Sequence, residues 1–121
     1  MIYFCVSTVR ADDAADLART LVEERLAACV NIVPGVRSFY RWKGEICDES
    51  EVVLLIKTAP VSMGGFEERF KELHPYDCPE LLILPIEEGF KEYFYWVQEM
   101  TGPQDVSMKR RANDANRDSA R

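Results

Sequence analysis

The chain has few of the residues and motifs from which enzymes and metal sites are commonly built. Among its 121 residues there is one histidine, His74, and the four cysteines form no C-x-x-C pair. Zinc fingers and zinc ribbons need cysteines or histidines paired at fixed spacing, so neither is expected. The sequence also has no P-loop, no G-x-G-x-x-G, no G-x-S-x-G and no H-E-x-x-H. We therefore expect no nucleotide, no organic cofactor and no enzymatic activity.

Long hydrophobic runs are missing as well. No apolar stretch approaches the roughly 18 residues of a membrane-spanning helix, and the N-terminus lacks the charged and apolar segments of a signal peptide. The composition therefore predicts a cytoplasmic protein with reduced thiols and no membrane partner. The net charge of −6 would repel a phosphate backbone, so we expect no nucleic-acid partner.

The most informative segment present is a long β-hairpin, predicted between Ala27 and Thr58. Its two apolar arms flank Trp42-Lys43-Gly44-Glu45, where the single glycine suits a tight connection. The second arm, 45–58, would span about 46 Å if fully extended, whereas a chain of this length folds to a diameter of about 35 Å. Part of the hairpin should therefore extend beyond its own domain and pair with another subunit. The alternative is a hairpin that bends at Pro34-Gly35 and wraps its own domain.

The remaining periodicity predicts an α+β fold. Strands are expected at 2–7 and 80–86, and helices at 14–26, 63–73 and 90–100, the first capped by Asp12 or Asp13. The order βα-ββ-αβ with a closing helix is the ferredoxin-like split βαβ arrangement, in which helices cover one face of a four-stranded antiparallel sheet. The other face would stay uncovered in a monomer, which also favours an oligomer. Residues 1–102 are predicted to form one domain, and the polar segment 103–121 a disordered tail.

Several residues are candidates for a binding site, and each also has a structural explanation. His74 lies at a helix end, where it either binds a ligand or satisfies the last carbonyls. Trp42, beside the hairpin turn, is expected to be covered by a neighbouring subunit or by a stacked ligand. Cys5, on the first strand, is either a core residue or a thiol ligand. The carboxylates of the hairpin are expected to form a solvated strand end; they are Glu45, Asp48, Glu49 and Glu51.

Four blocks of the sequence resemble the CutA family, the divalent-cation tolerance proteins. They are LVEERLAACVNI at 21–32, YRWKGE at 40–45, LLIKT at 54–58 and HPYDCPE at 74–80, and the match runs in order over about residues 2–100. The resemblance implies a ferredoxin-like subunit in a homotrimer similar in architecture to the PII signalling proteins, with the long hairpins exchanged between subunits. It also implies a link to copper and other divalent cations.

The same resemblance implies where ligands would bind. A cleft between subunits is expected, lined by Tyr40, Trp42, Lys57, His74, Tyr76 and Glu80. Of these, His74 and Glu80 match the family pattern and are the predicted metal ligands. Family members proposed to bind copper carry a cysteine at the position of Val6, and some a histidine at that of Leu73. The nearest thiol here is Cys5, whose side chain would point to the opposite face of the strand. A soft-ligand Cu(I) site is therefore disfavoured, and a nitrogen and oxygen site at a subunit boundary is expected.

Together these observations predict a non-enzymatic homotrimer that binds copper or another divalent cation in the response to metal ions. One alternative is a trimeric scaffold or PII-like signalling module that serves an unidentified protein partner. A further alternative is a small hydrolase acting on an anionic substrate with Lys57 and the hairpin backbone.

Overall fold

The computed structural model describes residues 1–103. Its elements are β1 (Ile2–Val9), α1 (Ala11–Glu23), β2 (Cys29–Trp42), β3 (Glu45–Thr58), α2 (Met63–Leu73), β4 (Leu82–Ile86) and α3 (Lys91–Met100). The strands form one antiparallel sheet in the order β2-β3-β1-β4. This confirms the predicted α+β fold with a four-stranded antiparallel sheet, a long hairpin and a C-terminal helix. The predicted tail lies outside the described residues from position 104 onward.

The hairpin of β2 and β3 dominates the sheet. Each strand has 14 residues, and the two residues that connect them, Lys43 and Gly44, have φ angles of 50° and 82°. Positive φ at both turn positions matches the twist of the flanking strands, and glycine adopts it without steric cost. Strand β1 pairs with β3 only from residue 52 onward, so the part of the hairpin that pairs 36–42 with 45–51 extends past β1. The predicted overhang is present.

A register shift interrupts β2 within the hairpin. It falls between Val33 and Val36, on either side of Pro34 and Gly35. Proline cannot donate a ladder hydrogen bond, and Gly35 has a φ of 77°, so neither residue fits regular pairing. The hairpin therefore contains the irregularity predicted at this dipeptide and still overhangs its own domain.

Helices α1 and α2 cover one face of the sheet. The strand residues directed at them alternate along β1 and β3 and are buried: Cys5, Ser7, Val9, Val52, Leu54 and Ile56. Phe66 and Phe70 of α2 are the largest fully buried side chains, and their ring centroids lie 6.1 Å apart. Burial of apolar surface stabilises a fold by about 25 cal/mol per Å², so this layer holds the sheet and helices together.

The start of α1 differs from the prediction. The helix begins at Ala11, and its N-cap residue is Arg10, which makes no side-chain capping hydrogen bond. Asp12 and Asp13 lie in the first turn, so the predicted cap was wrong, although carboxylates there still interact favourably with the helix dipole. The helix also ends before Leu26, which packs against the core from the loop that follows.

On the opposite face of the sheet, α3 packs at one end, where its Val97 clusters with Ile2 and Ile86, and the apolar side chains beyond that end are covered by no described element. Leu82 and Leu84 of β4 are 57% and 48% exposed, and they pair with Val6 and Phe4 of β1. Leu55 of β3 is also only half-buried, in alternation with the fully buried residues beside it. Large contiguous apolar patches are uncommon on monomeric proteins. The face expected from the sequence to be uncovered is therefore open in the structure, except at the end that α3 covers.

Candidate functional site

A cleft opens where the hairpin extends past the end of β1. It has a volume of about 740 Å³ and lies between the overhanging part of the hairpin, the start of α1 and the segment that follows α2. Four of the six residues predicted to line a ligand cleft are on its wall: Tyr40, Trp42, Tyr76 and Glu80. The cleft exists because β1 turns into α1 after Val9, while β3 continues without that neighbour.

Glu51 and Tyr76 meet in the cleft and join the hairpin to the segment after α2. The Tyr76 hydroxyl donates a hydrogen bond of 2.7 Å to Oε2 of Glu51. Glu51 is only 8% exposed, which is unusual for a carboxylate. Burial of the phenol, followed by its bond to Glu51, raises the pKa of Tyr76 above its ordinary value. Tyr76 is therefore a neutral donor at physiological pH.

Tyr40 and Trp42 form the aromatic part of the hairpin wall. They are 43% and 41% exposed. Desolvation raises the pKa of Tyr40, and the nearby Cys47, Glu49 and Glu51 raise it further. Both side chains thus present uncharged aromatic surface beside carboxylates, a combination suited to a cation.

His74 is placed behind the cleft and is 5% exposed. Its Nε2 lies 2.8 Å from the carbonyl oxygen of Thr8, and its Nδ1 accepts a hydrogen bond of 3.2 Å from the backbone N–H of Tyr76. Because Nδ1 accepts, Nε2 carries the proton and donates to Thr8. The ring also packs between Phe70 and Tyr76, with centroid distances of 5.7 and 4.6 Å. In this arrangement both ring nitrogens are engaged, and the imidazole orients Tyr76.

Two further predicted cleft residues, Lys57 and Glu80, lie in different places. Lys57 lies on β3 opposite Phe4 of β1 and donates a hydrogen bond to the side chain of Asn31, so it is not on the cleft wall. Glu80 is on the wall and exposed, and its backbone carbonyl accepts a 2.6 Å hydrogen bond from the buried hydroxyl of Ser7. That bond fixes the segment after α2 to β1.

The described residues contain no ready-made metal site of three or more ligands. Cys5 is fully buried, and desolvation, with a smaller contribution from Glu67, raises the pKa of its thiol to about 11. Since the thiolate is the form that binds metals, burial disfavours Cys5 as a metal ligand. Within residues 1–103 no three histidine, cysteine or acidic side chains are grouped in a way that could hold a metal ion. The metal site at His74 and Glu80 stays a prediction.

Some cleft residues were not recognised in the sequence. Glu51 was expected at a solvated strand end, and its burial shows that this was wrong. Arg10, Cys47 and Cys78 also line the cleft. The usable signal was the position of Glu51 immediately before the apolar run that starts at Val52, where the strand enters the core.

The fold and the cleft together define a class of protein. It is a ferredoxin-like α+β domain with a hairpin too long for its own sheet, a partly uncovered apolar sheet face and an acidic, aromatic cleft beside the hairpin. Within the part of the chain that is described, no helix is long and apolar enough to cross a membrane.

Comparison with known proteins identifies the family within this class. The family model described as CutA1 divalent ion tolerance protein matches residues 2–100, and the chain belongs to this family. It is 52% identical over 96 residues to the divalent-cation tolerance protein CutA of Thermus thermophilus, covering 78% of this chain and 93% of that protein. It spans 50% of the mouse protein CutA, with 43% identity over the 88 residues that align, which are 73% of this chain.

Solved structures agree with this assignment. The structure of the divalent cation tolerance protein from Thermus thermophilus has a TM-score of 0.78 with 50% identity, over 84% of this chain and all of that one. The PII-like protein CutA from Nostoc, in apo form, has a TM-score of 0.77 with 35% identity, over 83% of this chain and 97% of that one. The family predicted from the four sequence blocks is confirmed.

Proposed function

We propose that this protein is a non-enzymatic homotrimer of the cytoplasm that binds a divalent cation, copper among the candidates, in the response to metal ions. The observation that supports self-association is the coexistence of an uncovered apolar sheet face and a hairpin that overhangs its own sheet; the number of three subunits follows from the architecture that the family resemblance implies. Each would be unfavourable in an isolated chain, and both are relieved when copies associate around a symmetry axis. Membership of the divalent-cation tolerance family supports the metal response.

Metal binding by the predicted ligands would need a local rearrangement at His74. Because both ring nitrogens of His74 are engaged, metal binding there requires the bond to Thr8 or the bond from Tyr76 to open. The Glu80 carboxylate is exposed and needs no such rearrangement. A nitrogen and oxygen site completed by a neighbouring subunit is therefore proposed. Glu80 is its accessible ligand, and His74 becomes a ligand only when one of its two hydrogen bonds opens.

Light scattering after size exclusion tests the assembly. A trimer of 13.9 kDa chains gives three times that mass, and a monomer mass would contradict the proposal. Leu84→Lys places a charge on the uncovered sheet face and should dissociate the assembly. Phe90→Lys is the matched control, because Phe90 is 84% exposed and precedes α3 rather than lying in the sheet. If both variants keep the wild-type mass, the sheet face is not the interface.

Calorimetric titration of the reduced protein with Cu(I), Cu(II) and Zn(II) tests the metal. We expect saturable binding that is weakened in Glu80→Gln. The control is Glu87→Gln, which removes a charge just after β4 from a residue that is not a predicted ligand and should leave the binding unchanged. Absence of saturable binding of any of the three ions would remove the metal from the proposal and leave the trimer in place.

A second candidate function is a scaffold or PII-like signalling module for a protein partner. The PII-like name of the Nostoc structure favours it. Pull-down from the native host should then recover a second protein in fixed ratio, whereas recovery of this chain alone would count against it.

A further inference from the structure

The C-terminal end of α1 is closed by a Schellman motif in which an arginine occupies the position where glycine is usual. The backbone N–H of Leu26 donates to the carbonyl of Leu21 at 2.9 Å, and the N–H of Arg25 donates to the carbonyl of Val22 at 3.0 Å. This pair of bonds places the residue after the cap in the left-handed region, and Arg25 has a φ of 60°. A residue with a Cβ adopts that conformation at a steric cost that glycine avoids. Because the backbone alone favours glycine at position 25, the arginine side chain needs another explanation.

The Arg25 side chain reaches the end of α3. Its Nε donates a hydrogen bond of 2.7 Å to the carbonyl of Gly102, and its Nη2 donates to the carbonyl of Glu99. The N–H of Gly102 donates in return to the Arg25 carbonyl at 3.2 Å. The last carbonyls of a helix have no partner within it and form the negative end of its dipole, and α3 has no basic residue in its own last turn. Arg25 therefore supplies, from the end of α1, the cationic cap that α3 lacks.

Gly102 is fitted to the same contact, which we call the clasp and define as the bonds of Arg25 with Gly102 and Glu99. Gly102 has a φ of 78°, and a methyl group on its Cα would lie 2.6 Å from Cγ2 of Val61, well inside van der Waals contact. Any other residue at this position would therefore be strained and would push the end of α3 away from Val61. The clasp thus depends on an arginine at one side and a glycine at the other.

Helix α3 has few other strong contacts with the sheet. It has 10 residues and one fully buried side chain, Val97, which packs with Ile2 and Ile86. No side-chain hydrogen bond caps its N-terminus at Phe90, and its remaining apolar side chains are partly buried or exposed. A helix of this length is marginal in water by itself. Its position on the sheet therefore depends strongly on the contacts at its C-terminal end.

We propose that α3 is a strap that opens and closes as a unit over one end of the apolar sheet face, and that Arg25 is the residue that keeps it closed. When the strap is closed, Val97 packs on Ile2 and Ile86; when it opens, this surface joins the apolar face exposed at Leu82 and Leu84. The clasp thereby sets how much of the sheet face is available for association between copies. That consequence rests on the proposed function, whereas the opening of the strap does not.

Hydrogen–deuterium exchange of the full chain, read by mass spectrometry at fixed subunit concentration, tests the strap. Arg25→Gly relaxes the backbone at position 25 and removes the clasp. Amides of α3 should then exchange about 10-fold faster or more, while those of β1 and β3 stay within about twofold of wild type. Arg25→Lys keeps the charge, but its single amine does not match the two nitrogens that reach separate carbonyls, so an intermediate rate is expected. Arg25→Gly should also bind more anilinonaphthalene sulfonate, a dye that reports exposed apolar surface.

Lys43→Gly is the matched control. Among the described residues Lys43 is the other non-glycine residue with a positive φ, at 50°, and it lies in the hairpin turn. Its replacement should leave the exchange of α3 within about twofold of wild type. Gly102→Ala disturbs the clasp from the side of α3 and should also speed the exchange of α3, so it keeps the test decisive if Arg25→Gly does not fold.

Unchanged or slower exchange of α3 in Arg25→Gly would overturn the inference, because α3 would then be held by other contacts. Equally faster exchange in every element would overturn it as well, since that result indicates a general loss of stability. Failure of the proposed function is judged separately, by the mass of the wild-type assembly and by metal titration. A monomeric wild type would remove the consequence for association and leave the measured opening of α3 in place.

Discussion

Replacement of His74 by alanine tests whether the imidazole stabilises the metal-free fold or serves only as a metal ligand. The ring donates to the Thr8 carbonyl at 2.8 Å and accepts from the Tyr76 N–H at 3.2 Å. Loss of the first bond leaves a backbone carbonyl without its partner, which costs about 1–3 kcal/mol, and loss of the second costs about 0.5–1.5 kcal/mol. The contacts with Phe70 and Tyr76 add about 0.5–1.5 kcal/mol. Because water can enter the vacated space and hydrate part of these groups, we expect the metal-free protein to lose about 2–4 kcal/mol of unfolding free energy.

The measurement is urea unfolding at fixed subunit concentration in the presence of a chelator, since stability depends on concentration in an oligomer. Two polar variants test the two hydrogen bonds of His74 separately. His74→Gln can still donate to Thr8 and His74→Asn can still accept from Tyr76, so each should recover part of the loss. Glu80→Ala is the control among the predicted ligands: its exposed side chain should contribute less than about 0.5 kcal/mol. A metal-free His74→Ala protein as stable as wild type would refute the structural role.

Three further predictions concern the rest of the fold. Ser7→Ala removes the 2.6 Å bond from a buried hydroxyl to the Glu80 carbonyl, so urea unfolding should show a loss of about 1–3 kcal/mol. Gly44→Ala places a methyl group at a φ of 82°, and the same assay should give a loss of about 1–2 kcal/mol. Burial raises the pKa of the Cys5 thiol to about 11 from 9.0. The buried thiol therefore stabilises the fold fully below pH 9, and this stabilisation is lost as the pH rises from 9 to 11. Cys5→Ala should lack this part of the alkaline loss of unfolding free energy, about 2–3 kcal/mol.

The features that the sequence predicted well depend on short-range patterns. The hairpin follows from two apolar arms around Gly44, and α2 follows from apolar residues at helical spacing that include Phe66 and Phe70. Such patterns fix which residues pair locally and which face a helix buries. The start of α1 was misplaced by two or three residues, because Asp12 and Asp13 are favourable both as caps and in the first turn and composition does not distinguish these two positions.

The features that the sequence did not reveal depend on contacts between distant segments. Glu51 is buried because Tyr76 reaches it from 25 positions away, and the ring of His74 is positioned by Thr8, 66 positions away. No local pattern encodes either contact, since both arise where the segment after α2 crosses the end of β1. The aromatic residues of the cleft were recognised, but the acid they surround was assigned to solvent.

The overhang of the hairpin is the common origin of the proposed interface and of the cleft. Because β1 ends at Val9 while β3 runs on from residue 51 to 45, seven pairs of the hairpin have no neighbour on the side of β1. The segment after α2 fills the start of that open side with Tyr76 and leaves the rest as the cleft. A hairpin only long enough to match β1 would give a sheet without an overhang, and it would also leave no wall for Tyr40 and Trp42. The length of β2 and β3 therefore determines both the overhang and the cleft wall, and a variant that shortens both strands by about two residues at the turn should impair the proposed assembly and the proposed cation binding together.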